Sequence, residues 1–114
     1  MSPVNVERLT EASLGDPEFL RELVELFLGD TPQQLQALQQ AIEAADANGV
    51  HRGAHRLKCA GTNLGALTFG EICLKLEQMG KQQDLTKAPD LFRDLREEYD
   101  RVQVLLSGLA KAAR

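Results

Sequence analysis

Residues 53–66 read GAHRLKCAGTNLGA, and on a helical wheel this stretch and its flanks separate into two stripes. An α-helix turns about 100° per residue, so with Val50 at zero, Ala54, Leu57, Gly61 and Leu64 fall within about 40° of it. That is the apolar stripe of a helix facing a core. His51, His55, Lys58, Cys59 and Thr62 fall between about 80° and 180°. They form a second stripe that begins at the core's edge and runs into solvent. The spacing predicts a helix from about Val50 to Leu64, bounded by Asn48-Gly49 and ended by Gly65, with a histidine on its wet side.

The rest of the chain has the same helical period. A short N-terminal helix is expected over Pro3 to Ala12, with Ser2 as cap and Pro3 in the first turn. Gly15 and Asp16 break it, and Asp16-Pro17 starts a second helix. One face of that helix carries Phe19, Leu23, Leu26, Phe27, Leu35, Leu38, Ile42 and Ala45. Pro32 interrupts it, and Thr31-Pro32-Gln33-Gln34 resembles a capping box. The apolar face continues through, which favours one kinked helix over two. A fourth helix, from about Thr68 to Gln83, turns Phe69, Ile72, Cys73, Leu76 and Met79 inward. Lys87-Ala88-Pro89 restarts the chain for a last long helix that buries Leu91, Phe92, Leu95, Tyr99, Val102, Leu105, Leu106 and Leu109. No segment reads as a strand. The fold class is all-α: an antiparallel up-down four-helix bundle with a short N-terminal capping helix, one domain over residues 1–114.

Composition narrows the function. A chain of 114 residues suits one domain with a core that needs no staples. The net charge of −4 argues against nucleic acid as partner. Four Phe, one Tyr and no Trp leave little for stacking on bases or sugars. The two cysteines, Cys59 and Cys73, fit neither a metal-finger spacing nor a disulfide framework. No signal peptide or membrane-spanning run is visible, so the expected compartment is a reducing cytoplasm.

Charge around the third helix is lopsided. From Ala47 to Gly70 there is no Asp or Glu, while Arg52, Arg56 and Lys58 accompany both histidines. Such a block is either a solvated face or a field that attracts an anion. An exposed imidazole with an ordinary pKa near 6.5 is largely neutral in the cell and offers a ring-nitrogen lone pair. It can attack a phosphorus centre without a separate base, and Lys58, one turn on, supplies a cation for the phosphoryl oxygens. The chemistry suggested is phosphoryl transfer through histidine.

Here the chain resembles a known family, the histidine-containing phosphotransfer (HPt) domains of multistep two-component phosphorelays. Their pattern, Ala-His-x-Leu-Lys-Gly followed by small residues and Asn-Leu-Gly-Ala, is matched by Ala54-His55-Arg56-Leu57-Lys58-Cys59, then Ala60-Gly61-Thr62, then Asn63-Leu64-Gly65-Ala66. Phe27, Pro32 and Leu76-Glu77 extend the likeness to essentially the whole chain. The resemblance implies that His55 is the phosphoacceptor and that Lys58 stabilises the phosphoryl charge. It implies a phosphocarrier with no kinase activity, taking its phosphoryl group from an aspartate of a hybrid kinase's receiver domain and passing it to an aspartate of a response regulator. No cofactor is implied beyond magnesium on the receiver, and a monomer is expected. Gly65 would let the next helix pack closely. Supporting or partner-contact candidates are His51, Cys59, Gly61, Thr62, Gly65, Glu77 and Lys81. Glu77 and Lys81, at i and i+4, either pair with each other or reach His55 and orient its ring.

Cys59 departs from the pattern, which has glycine there. A thiol at that position narrows the approach to the imidazole, and its oxidation would hinder a docking receiver. Three rival readings stand beside the phosphocarrier. His51, His55 and Cys59 recur every four residues and could ligate a metal, although three ligands on one helix need a fourth group. A helical adaptor without chemistry would use His55 only as a contact. A phosphotransfer domain of a chemotaxis-type kinase would be charged from ATP by a separate catalytic domain.

Overall fold

The computed structural model describes residues 2–112. Among them are five helices: α1 Val6–Ala12, α2 Pro17–Glu43, α3 Ala47–Asn63, α4 Leu67–Gln82 and α5 Ala88–Ala112. Helices α2 to α5 pack in a ring, each against the next and α5 back against α2, while α1 lies across α2 and α3. The short connections force neighbours to run antiparallel. None of the described helices is long and apolar enough to cross a membrane.

Helix ends follow a repeated device. The amide of Asp46 bonds the carbonyl of Ala41 at 2.9 Å, that of Ala66 bonds Gly61 at 2.8 Å, and that of Asp84 bonds Met79 at 3.1 Å. Each closes a Schellman motif around one left-handed residue: Ala45 (φ 54°), Gly65 (φ 83°) and Gln83 (φ 58°). Only one of these three is glycine, so the stop before α3 carries no glycine signal in the sequence. Helix α3 begins at Ala47, so Asn48-Gly49 is its first turn and not a boundary. The cap is Asp46, whose carboxylate accepts the Gly49 amide at 3.0 Å. Helix α1 likewise starts later than expected. Asn5 caps it by accepting the Arg8 amide at 3.1 Å, while the Ser2 hydroxyl donates to the Val4 carbonyl.

Helix α2 runs unbroken through Pro32. Its apolar face is rotated from the expected one: Leu26 is 63% exposed and Val24 is buried. Val24 lies about 60° from the buried Phe27 on the wheel, and Leu26 about 100°. Ala45 falls in the connection and is exposed. The last helix buries Phe92, Leu95, Val102 and Leu106, with Leu91, Tyr99, Leu105 and Leu109 half-buried beside them.

At the centre of the core, Phe69 of α4 meets Phe27 of α2 edge-on at 5.9 Å between ring centroids and Tyr99 of α5 at 6.4 Å. On α3 the facing residue is Gly61, where a Cβ would stand 2.5 Å from the Phe69 ring. The ring thus fills the place of a side chain on α3. At the other end of the same interface a Cβ on Gly80 would stand 2.5 Å from the His51 amide nitrogen and 2.6 Å from the Ala47 carbonyl. Small residues at both ends bring the backbones of α3 and α4 together. Gly65 has a different task from the one expected of it. Its Cβ would strike the Asn5 carbonyl, and the Asn5 amide bonds its carbonyl at 2.8 Å. It seats the N-terminal segment, not the next helix.

Candidate functional site

The close approach of α3 and α4 brings Glu77 under the wet stripe of α3. Glu77 is only 7% exposed, yet every strong acceptor it offers is used. Its Oε1 lies 2.7 Å from His55 Nδ1 and 3.0 Å from Lys58 Nζ. Its Oε2 lies 2.7 Å from the same ammonium. Its main-chain carbonyl lies 3.2 Å from His51 Nδ1. One α4 residue therefore holds three α3 side chains spaced over two turns.

This arrangement assigns the histidine protons. A carboxylate can only accept, so the proton between His55 and Glu77 sits on Nδ1 of His55. Nε2 is then the nitrogen with the free lone pair, on a side chain that is 55% exposed. His51 is ordered the same way, its Nδ1–H donating to the Glu77 carbonyl. That turns the ring toward α4 and leaves it half-buried.

Electrostatics favour the charged pair. Burial opposes ionisation of Glu77, but hydrogen bonds from Lys58 and His55 overcome it and hold the carboxyl below its usual range. The hydrogen bond with Glu77 in turn raises Lys58, against the opposing effect of desolvation. A buried carboxylate needs such partners, because an unpaired one would be expelled or neutralised.

The remaining candidates divide. Cys59 is exposed, with Sγ 3.7 Å from His55 Nε2. Gly61 and Gly65 are buried in the packing contacts described above, out of a partner's reach. Thr62 is half-buried with its hydroxyl over Gly70, and its carbonyl accepts from Arg8 Nε at 3.1 Å. Lys81 is exposed, and the ion partner of Glu77 is Lys58, across the helix interface and not along α4. Cys73 is buried, which pushes its thiol up. Among the described residues no group of three or more His, Cys, Asp and Glu side chains is arranged to hold a metal ion. Sequence leaves Glu77 two options, Lys81 or His55; its triple role depends on an interhelical distance that no local pattern reports.

The Hpt domain family model matches residues 22–104. Among curated proteins, the chain is similar to the phosphorelay intermediate protein rdeA of Dictyostelium discoideum, with 27% identity over 103 residues. Those residues cover 90% of this chain and 41% of rdeA, so the chain spans well under half the length of that relative. Among solved structures it is similar to histidine-containing phosphotransfer protein B from Pseudomonas aeruginosa PAO1, with a TM-score of 0.92 and 24% identity over 97% of this chain and 96% of that one. It is also similar to the HPT domain of the Hpt sensor hybrid histidine kinase from Shewanella, with a TM-score of 0.82 and 17% identity over 96% and 95% of the two chains. At these identities the two likenesses speak for the fold; the family match takes in His55, Lys58 and Glu77 together. The chain belongs to the Hpt domain family.

Proposed function

We propose that this protein is a phosphorelay intermediate. His55 Nε2 accepts a phosphoryl group from an aspartyl phosphate of one receiver domain and gives it to an aspartate of another. The observation that carries this reading is the 2.7 Å contact between Nδ1 and the Glu77 carboxylate, which leaves Nε2 unprotonated on a side chain that is 55% exposed. In the forward step the lone pair attacks phosphorus in line, an N–P bond forms, the P–O bond to the aspartyl carboxylate breaks, and that carboxylate leaves. No base is needed, because Nε2 carries no proton. Glu77 balances the positive charge that develops on the ring, and Lys58 lies beside it to meet the phosphoryl oxygens. The second step is the reverse of the first with a new acceptor. The chain acts as a carrier without kinase activity, as a monomer in the cytoplasm, and magnesium is supplied by the receiver.

The test is label uptake from a phosphorylated receiver domain by wild type and by His55→Gln. Acid-labile, base-stable label on the wild type alone is expected. Absence of label from several receivers, with the fold intact by circular dichroism, would replace this function with docking alone.

A further inference from the structure

Cys59 is the one exposed thiol among the described residues, and its Sγ lies 3.7 Å from His55 Nε2. Across the same ring, Nδ1 is held at 2.7 Å by the Glu77 carboxylate. Thiol, imidazole and carboxylate thus follow one another through two contacts, the order in which a nucleophile, its base and the group that orients the base are arranged in covalent catalysis. Because Nδ1 carries the ring proton, the hydrogen in the S···N contact is the thiol's own. The thiol is not isolated in its charge setting either. Arg52 and Arg56 are exposed on the same helix, and no acidic residue occurs from position 47 to 70. Exposed cations beside the thiol favour an anionic reagent over a cationic one.

We propose that Cys59 is a thiol-modification site at which His55 acts as general base, its co-reactant a small anionic disulfide of the oxidised-glutathione type. Sγ attacks one sulfur of the disulfide while Nε2 takes the thiol proton. The reagent's S–S bond breaks and a new S–S bond to Cys59 forms. The departing thiolate then takes the proton back from the imidazolium and leaves as a free thiol. Cys59 is oxidised to half of a mixed disulfide, and the released half of the reagent is reduced. A consequence rests on the phosphorelay reading: the adduct stands beside Nε2 and bars a phosphoryl group, while a phosphorylated Nε2 has no lone pair with which to activate the thiol. The adduct thus excludes phosphorylation, and phosphorylation in turn slows formation of the adduct.

Intact-mass kinetics with oxidised glutathione decide this. A single adduct on Cys59 is expected; Cys73 is fully buried, so a second adduct would report loss of the fold. The rate at neutral pH should drop on the order of tenfold or more in His55→Gln. Glu77→Gln, which removes the charge that orients and balances the ring, should fall between the two. Equal rates in wild type and His55→Gln, both folded by circular dichroism, would overturn the role of His55. In a second arm the adduct is offered a phosphorylated receiver. Loss of label uptake, regained on reduction and absent as a response in Cys59→Ser, is expected; undiminished uptake by the adduct refutes the exclusion. If untreated protein takes no label, the phosphorelay reading fails, and the thiol rates still decide for or against the base.

Discussion

Gly80→Ala tests whether the α3–α4 approach is as close as the site requires. The added Cβ would lie 2.5 Å from the His51 nitrogen, 2.6 Å from the Ala47 oxygen and 2.9 Å from the His51 Cα. All three are main-chain atoms of a facing helix, so no side chain can swing aside and the helices themselves must separate. Overpacking of this kind costs roughly 1–3 kcal/mol, and rigid backbone on both sides puts it at the upper end. Alanine returns about 1 kcal/mol of helix propensity, leaving a net loss of about 2 kcal/mol. Gly29 is the control: it also lies inside a helix, but a Cβ there would meet nothing within 4 Å. Gly29→Ala should therefore gain about 0.5–1 kcal/mol. The two alanine variants should differ by about 3 kcal/mol, or roughly 10 °C in Tm for a domain of this size. Urea melts and thermal scans measured side by side read this directly. Gly80→Ala as stable as Gly29→Ala would mean that the helices are not in main-chain contact, and the assignment of Glu77 to three α3 side chains would fall with it. Phosphoryl uptake should also drop in Gly80→Ala, since separation lengthens the His55–Glu77 contact.

Glu77 also governs acid stability. A carboxyl depressed on folding contributes stability that is complete above its unfolded value and lost as pH falls through the folded one. Unfolding free energy should therefore decline below about pH 4.5, the ordinary value of this group, and decline less steeply in Glu77→Gln; parallel pH profiles of the two proteins would contradict this. The same variant should slow phosphoryl uptake about tenfold or more and let the His55 proton redistribute between ring nitrogens, visible as a changed tautomer population by nitrogen NMR. Lys58→Ala should lower the transfer rate on the order of a hundredfold without weakening receiver binding; an unchanged rate removes Lys58 from the phosphoryl site. Ala45→Gly, which relieves a left-handed alanine at an exposed helix end, should stabilise by about 0.5 kcal/mol in urea melts, the strain relieved exceeding the extra chain entropy of glycine.

Periodicity was enough to call the bundle, its helix count and the separation of the α3 core stripe from the histidine stripe, because both are properties of one helix and its 100° step. The N-terminal boundaries of α1 and α3 were not legible. The caps are Asn5 and Asp46 where the sequence pattern points to Ser2 and Asn48-Gly49, since the left-handed stop before α3 is an alanine and carries no glycine signal. The rotation of α2 that buries Val24 and exposes Leu26 is likewise a matter of which neighbours surround it. The candidate site divides along the same line. His55, Lys58 and Cys59 could be placed on one face by sequence, since they are one turn apart or less. What sequence left open was the partner of Glu77, which is 19 and 22 residues away from Lys58 and His55. Only the packing of α4 on α3, through glycines at Gly61, Gly70 and Gly80, decides that its carboxylate turns across the interface to them and not along its own helix to Lys81. The local sequence therefore determined which groups are present and which way they point. The tertiary structure decided the proton: which nitrogen of His55 holds it, and hence which one is free to react.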